Sequence, residues 1–170
     1  MPILINDYNS KFKNREVGWE TMLVLEDLKY TEGHLWVKTE DSGEATIGIT
    51  DYGQVFLGKM VSVDLPEEGE EIVKDDVFGS AEGRKNFMEL YSPLTGKVIA
   101  INELVLEEPE LINSDPYDDG WLIKIKYSQP EEMDDLLSSD EYEAMVEELL
   151  LAQEDEEEDI GFEDEFEIEE

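Results

Sequence analysis

Two stretches of the chain echo one another. Gly58-Lys59-Met60-Val61 followed by Glu71-Ile72-Val73-Lys74-Asp75 is matched by Gly96-Lys97-Val98-Ile99 followed by Glu110-Leu111-Ile112-Asn113-Ser114-Asp115. Each half reads as strand, acidic turn, strand. Val61 and Val63 alternate in the first half, and either Val98 and Ala100 or Ile99 and Ile101 alternate in the second. Two such halves close as a flattened β-sandwich or barrel with rough two-fold symmetry, and the segment joining them becomes an exposed hairpin.

That joining segment is residues 79–96, Gly-Ser-Ala-Glu-Gly-Arg-Lys-Asn-Phe-Met-Glu-Leu-Tyr-Ser-Pro-Leu-Thr-Gly. Gly79 and Gly83 precede an Arg84-Lys85 pair, and Phe87, Leu90 and Tyr91 follow it, which predicts a β-hairpin with a charged tip. A lysine on an exposed turn is ordinarily only solvated. Lys85 stands out because the whole chain is arranged to present it.

The rest of the chain supports a mainly β fold. Short strands are expected at 28–30, 34–38 and 45–50, separated by Glu32-Gly33 and Asp41-Ser42-Gly43. Residues 51–57 read as a short helix capped by Thr50 or Asp51 and stopped at Gly58. After the turn at 115–120, residues 121–127 alternate as a strand. Met133, Leu136, Leu137, Tyr142, Met145, Val146 and Leu149 then recur at helical spacing, which predicts amphipathic helices at 128–137 and 139–152. Residues 1–21 show no sustained period and form an N-terminal extension, so one domain is expected at 22–150. From 151 to 170 the chain carries twelve acids and no base, the composition of a disordered acidic tail.

Composition removes several functions. Forty-seven acidic residues against twelve basic ones give a formal charge of -35, which repels nucleic acid and anionic membrane. The chain has no cysteine, so disulfides, thiolate metal sites and a cysteine nucleophile are excluded. With no export signal or stretch long enough to span a bilayer, a reducing cytoplasm is the expected compartment.

Catalytic signatures also fail. His34 is the sole histidine, and its place beside Trp36 at a strand start fits a structural role better than a triad. The run 79–86 imitates a phosphate-binding loop, but its second glycine comes one place early and no hydroxyl residue follows the lysine. The 115–120 turn lacks the third-position and closing ligands of a calcium loop. No metal site is expected. Trp36 and Trp121 sit in expected strands, so core positions suit them better than ligand stacking, and Trp19 is unassigned.

Several segments together resemble the glycine cleavage system H protein family across about residues 25–150. They are Leu28-Lys29-Tyr30-Thr31, His34-Leu35-Trp36, Thr46-Ile47-Gly48-Ile49-Thr50, Asp64-Leu65-Pro66, Tyr91-Ser92-Pro93-Leu94-Thr95-Gly96-Lys97-Val98 and the long run from Leu111 to Ile125 containing Asn113-Ser114-Asp115-Pro116-Tyr117 and Gly120-Trp121. The resemblance implies a sandwich of the lipoyl/biotinyl-domain type and a lipoyl group in amide linkage to a hairpin lysine. Counting back eleven residues from Gly96 puts that lysine at Lys85. The family's glutamate, three residues earlier, falls at Glu82, which the resemblance makes a recognition residue for the lipoate ligase or lipoyl transferase.

Further, the resemblance implies a carrier and not an enzyme. The arm would take an aminomethyl group from the pyridoxal-phosphate glycine decarboxylase, hand it to the folate-dependent aminomethyltransferase, and be reoxidised by dihydrolipoyl dehydrogenase. Two positions depart from the family pattern. Its Glu-Ser-x-Lys-Ala reads Glu82-Gly83-Arg84-Lys85-Asn86 here, and its His-Glu-Trp reads His34-Leu35-Trp36, replacing a glutamate that in relatives faces the amine carried on the arm. Three roles are therefore compatible with the residues: the glycine-cleavage carrier, a similar lipoyl carrier for another multienzyme route such as sulfur oxidation, and an unmodified interaction protein.

Overall fold

A computed structural model describes residues 23–40 and 43–152. The N-terminal extension, including Trp19, and the acidic tail from residue 153 lie outside the described residues; residues 151 and 152, expected to begin the tail, continue a helix.

The expected sandwich forms. Its strands are β1 (Lys29–Tyr30), β2 (Leu35–Glu40), β3 (Glu44–Ile49), β4 (Met60–Asp64), β5 (Glu71–Ile72), β6 (Val77–Gly83), β7 (Phe87–Tyr91), β8 (Gly96–Ile101) and β9 (Ile123–Tyr127). One sheet has the order β1-β2-β3-β9-β8-β5 and the other β4-β6-β7. All pairings are antiparallel. The chain therefore crosses between sheets around the β6–β7 hairpin, as the two-half pattern requires.

The main core lies between the sheets and is aliphatic. Leu35, Val37, Ile47 and Ile49 from one side meet Met60, Val63, Ala81 and Leu90 from the other, with Leu57, Leu94, Val98, Val105, Ile112 and Ile125 completing it. A second cluster sits on the outer face of the larger sheet, where Tyr30, Trp36 and Tyr52 are covered by Tyr142 and Val146 from the helix at 139–152. Trp36 is buried, as expected of a core side chain, and its indole N–H donates to Pro116 O at 2.9 Å. Trp121 packs against the same cluster but precedes β9 instead of belonging to it.

Helix α1 (Asp51–Leu57) matches its signals closely. Thr50 is the cap, with its Oγ1 accepting from Gly53 N at 3.0 Å, and Gly58 ends the helix. Three expectations are corrected. Residues 110–115, expected as a strand from their likeness to 71–75, contain a single helical turn, α3 (Leu111–Ser114), preceded by α2 (Glu103–Glu107). Pro109 removes a ladder donor just ahead of them, and the polar run Asn113-Ser114-Asp115 has no second apolar partner to continue a strand. Residues 128–137 do not form an α-helix; the segment holds a 3-10 turn over Pro130–Asp135, after which Leu137 bridges to Tyr30. Finally, Val61 and Val63 do not share a face. A bulge between Met60 and Ser62 sends Met60 and Val63 inward and leaves Val61 exposed.

Candidate functional site

Residues 84–86 form the tip of the β6–β7 hairpin, and Arg84, Lys85 and Asn86 are all exposed. Gly83 N donates to Asn86 O at 2.9 Å, closing the turn. The tip does not wave in water, because its backbone is tied to the end of α1. Leu57 O accepts from Lys85 N at 2.9 Å and from Asn86 N at 3.3 Å, and Lys59 O accepts from Arg84 N at 2.9 Å. The Asn86 side chain adds a bond, its Nδ2 donating to Phe56 O at 2.8 Å. Leu57 itself is completely buried in the main core, so its carbonyl is a fixed point against which the tip is braced.

Two glycines make this approach feasible. A Cβ on Gly83 would stand 2.1 Å from Leu57 O, so the strand can reach that carbonyl only without a side chain. Gly58 holds φ 81° and ψ -163°, a conformation reserved for glycine, and a Cβ there would lie 2.8 Å from Lys85 Cγ and 3.2 Å from its Cβ and Cδ. The stem of Lys85 is thus laid along the bare backbone of Gly58. The Gly83 that departs from the family's serine is, in this chain, what lets the tip sit down.

Asn113, on α3, ties the other side of the same loop. Its Nδ2 donates to Gly58 O at 3.0 Å and to Gln54 Oε1 at 2.7 Å, while its Oδ1 accepts from Met60 N at 2.8 Å. Sequence reasoning passed over this residue as a site residue, although it lies inside the Asn-Ser-Asp-Pro-Tyr signature.

Electrostatically the tip is a small basic island on an acidic protein. Among the described residues neither Arg84 nor Lys85 is in a salt bridge; nearby Lys59 pairs with Glu110 at 3.4 Å. Glu82 lies on β6 opposite Phe87, exposed and one residue short of the turn. Phe56 and Phe87 flank the tip with 36% and 60% of their surfaces exposed. A cleft of about 360 Å³, lined by residues including Lys74, Asp75, Tyr91 and Ser92, lies at the other end of the hairpin, so Lys85 does not project into it.

The other candidates separate from this site. Leu35, expected to face the arm, is 1% exposed and packs in the main core opposite Ile49. Its side chain points inward because it follows the same strand face as Val37. His34 sits just before β2 with φ 69°. Its Nδ1 is 2.9 Å from Tyr142 Oη, which is 2.7 Å from Thr50 Oγ1, and its ring lies against Tyr52 at 4.6 Å. Burial lowers its pKa to about 4, so it is a neutral structural imidazole. The carboxylates of Asp115, Asp118 and Asp119 come within 4.8 Å of one another, yet Asp115 Oδ2 is occupied in accepting from Asp119 N at 3.1 Å. No helix among the described residues is long and apolar enough to cross a membrane.

Comparisons with known proteins agree with the resemblance. The family described as glycine cleavage H-protein matches residues 28–149. A glycine cleavage system H protein from Listeria monocytogenes serotype 4a (strain HCC23) is 49% identical over 125 residues, covering 74% of this chain and 99% of the relative. One from Carboxydothermus hydrogenoformans is 46% identical over 126 residues, covering 74% and 96%. Among solved structures, a glycine cleavage system H protein from Mycobacterium marinum superimposes with a TM-score of 0.64 at 28% identity, covering 72% of this chain and 98% of that one.

Proposed function

The chain belongs to the glycine cleavage H-protein family, and from that membership we propose that it is a cytoplasmic lipoyl-bearing carrier with the lipoyl group attached at Lys85. The single observation that carries the reading is the seating of Lys85: exposed at a hairpin tip, its stem in the space left by Gly58, its backbone braced on Leu57 O. A lysine held this way fits an acyl arm, because the amine is accessible while the point of attachment is fixed. When bound, the lipoyl group supplies a disulfide able to take an aminomethyl group from the glycine decarboxylase and release it at the folate-dependent aminomethyltransferase, with dihydrolipoyl dehydrogenase restoring the disulfide.

The protein's own part is mechanical and electrostatic. Lys85 contributes the amine that forms the amide, which the delocalised guanidinium of a neighbouring arginine cannot do. The α1 end and the β4 start fix the origin of the arm. Glu82, exposed beside the tip, is the recognition residue for the lipoate ligase or lipoyl transferase. On this reading the chain acts as a carrier and not as an enzyme, as membership of the family supports.

Intact-mass measurement of protein made in a lipoylating host, followed by peptide mapping, tests the assignment. A single lipoyl increment on the peptide containing Lys85, lost completely in Lys85→Arg, is the expected result. An increment that survives Lys85→Arg places the arm elsewhere. Absence of any increment in the wild type, with another family member modified in the same host, removes the carrier reading.

A further inference from the structure

Outside its own hairpin, the tip makes its bonds to residues 56–59, the end of α1 and the two-residue connection to β4, so Lys85 is placed by that stretch. Its last two residues, Gly58 and Lys59, have no regular secondary structure. Gly58 holds a positive φ, and Phe56, in the last turn of α1 just before it, is exposed. A loop of this kind is held by whatever satisfies its peptide groups from outside. Here, besides the hairpin tip itself, that partner is one side chain. Asn113 reaches the loop from both ends, bonding Gln54 in the last turn of α1, Gly58 O in the middle and Met60 N at the start of β4. Three of the hydrogen-bonding positions of one amide are used across seven residues of chain, from 54 to 60.

We propose that Asn113 is the positioning residue for Lys85, acting through the backbone of residues 56–60 and without touching the lysine. Its two N–H donors and one carbonyl acceptor match the three loop partners in number and kind, which no other side chain of similar size does. Removing it leaves Gly58 O, Met60 N and the Gln54 amide to find water, and the loop then samples several arrangements. Leu57 O and Lys59 O move with the loop, and with them go the bonds from Lys85 N, Asn86 N and Arg84 N. The modifying enzyme would meet the seated tip in only a fraction of molecules. A reduced competent fraction weakens apparent binding in proportion and leaves the chemical step at saturation unchanged.

The proposal rests on the carrier reading for its consequence but is measured first without it. In unmodified Asn113→Ala, hydrogen exchange at the amides of Arg84, Lys85 and Asn86 should accelerate by about tenfold or more, while Ile47 and Ile125 in the central strands keep their protection. In lipoyl transfer by a lipoate ligase, KM for the protein should rise about tenfold with kcat unchanged. Asn113→Asp keeps the acceptor for Met60 N and loses both donors, so it should accelerate exchange at Lys85 while sparing Met60. Gln54→Ala, which removes one partner only, gives a smaller change in the same amides and serves if the Asn113 variants do not fold. Unchanged exchange at residues 84–86, or acceleration spread evenly through β3 and β9, would overturn the positioning role. Should the wild type accept no lipoyl group, the carrier reading falls while the exchange data still decide whether Asn113 seats the tip.

Discussion

In the first of the two similar halves, Met60 and Val63 enter the core and Val61 stays outside because of a bulge after Met60; in the second, Val98 and Ile101 turn inward and Ile99 stays outside because of a bulge after Val98. The strands are alike down to this irregularity. Their surroundings are not. Gly58 lies outside β4 at positive φ, with the stem of Lys85 across it, whereas Gly96 is the first residue of β8 and faces backbone, a Cβ there standing 2.5 Å from Lys126 O. Downstream, the first half continues to the strand β5, while the second folds its equivalent residues into α3 against α1. The shared part builds the sandwich. The parts that differ seat the lysine: one glycine gives its stem room, and the displaced helical turn brings Asn113 to the loop beneath it.

A change in the core that both halves share should erase this distinction and produce the largest loss. Leu35→Glu buries a carboxylate among aliphatic side chains and is expected to cost about 4 kcal/mol, with α1, β4 and β8 loosening together. Urea unfolding with residue-level exchange reads it. Retained stability would mean that Leu35 has access to water after all, as expected from a residue facing the arm.

Matched substitutions at the two glycines sharpen the comparison. Gly96→Ala forces backbone against backbone and should cost about 3 kcal/mol, leaving the rate of modification at Lys85 unaltered in the molecules that remain folded. Gly58→Ala should cost about 2 kcal/mol, the strain of its backbone conformation, and should also slow modification because the new methyl group displaces the lysine stem. If both variants slowed modification equally once corrected for folding, the two glycines would be equivalent and Gly58 would have no special relation to Lys85.

This contrast also explains what was legible in the sequence. Helix α1 could be read to its ends because its cap, Thr50, and its stop, Gly58, act locally. The strands β2 and β3 follow from the turn residues that bracket them, Glu32-Gly33 and Asp41-Ser42-Gly43, and the exposed hairpin follows from its place between the halves. Likeness to 71–75 predicts a strand at 110–115, but that likeness does not carry structure with it. A four-residue helical turn without a side-chain cap leaves no periodic signal to oppose that inference. The inward turn of Leu35 is a matter of strand face, which one residue of register decides. The role of Asn113 was invisible for another reason: its partners lie 53 to 59 positions away, and nothing local marks them. Lys85 itself is legible, whereas Gly83 is intelligible only from the fold, because Leu57 O occupies the place of its side chain.

The smallest effect tests how the first half is anchored at its other end. Thr50 caps α1 and shares its hydroxyl with Tyr142 Oη, which meets His34 Nδ1, so the helix whose far end seats Lys85 begins on a half-buried neutral imidazole. Burial lowers the His34 pKa from 6.5 to about 4. Between those values the unfolded chain binds a proton that the folded one refuses, so stability present above about pH 6.5 is lost as pH falls toward 4. From pH 6.5 to 5.5 the histidine should remove about 1 kcal/mol. Asp51, whose carboxyl burial raises in pKa, opposes this nearer the carboxylate range, because its folded form gains the proton first. The carboxylates elsewhere are common to any variant, so the informative quantity is the difference between the wild type and His34→Asn. Urea midpoints at the two pH values should converge on acidification, and exchange should quicken in α1 and at residues 84–86 before it does in β8 and β9. Parallel pH dependence in the two proteins would show that His34 does not carry the effect, and an even response in both halves would show that the aromatic cluster does not anchor the first.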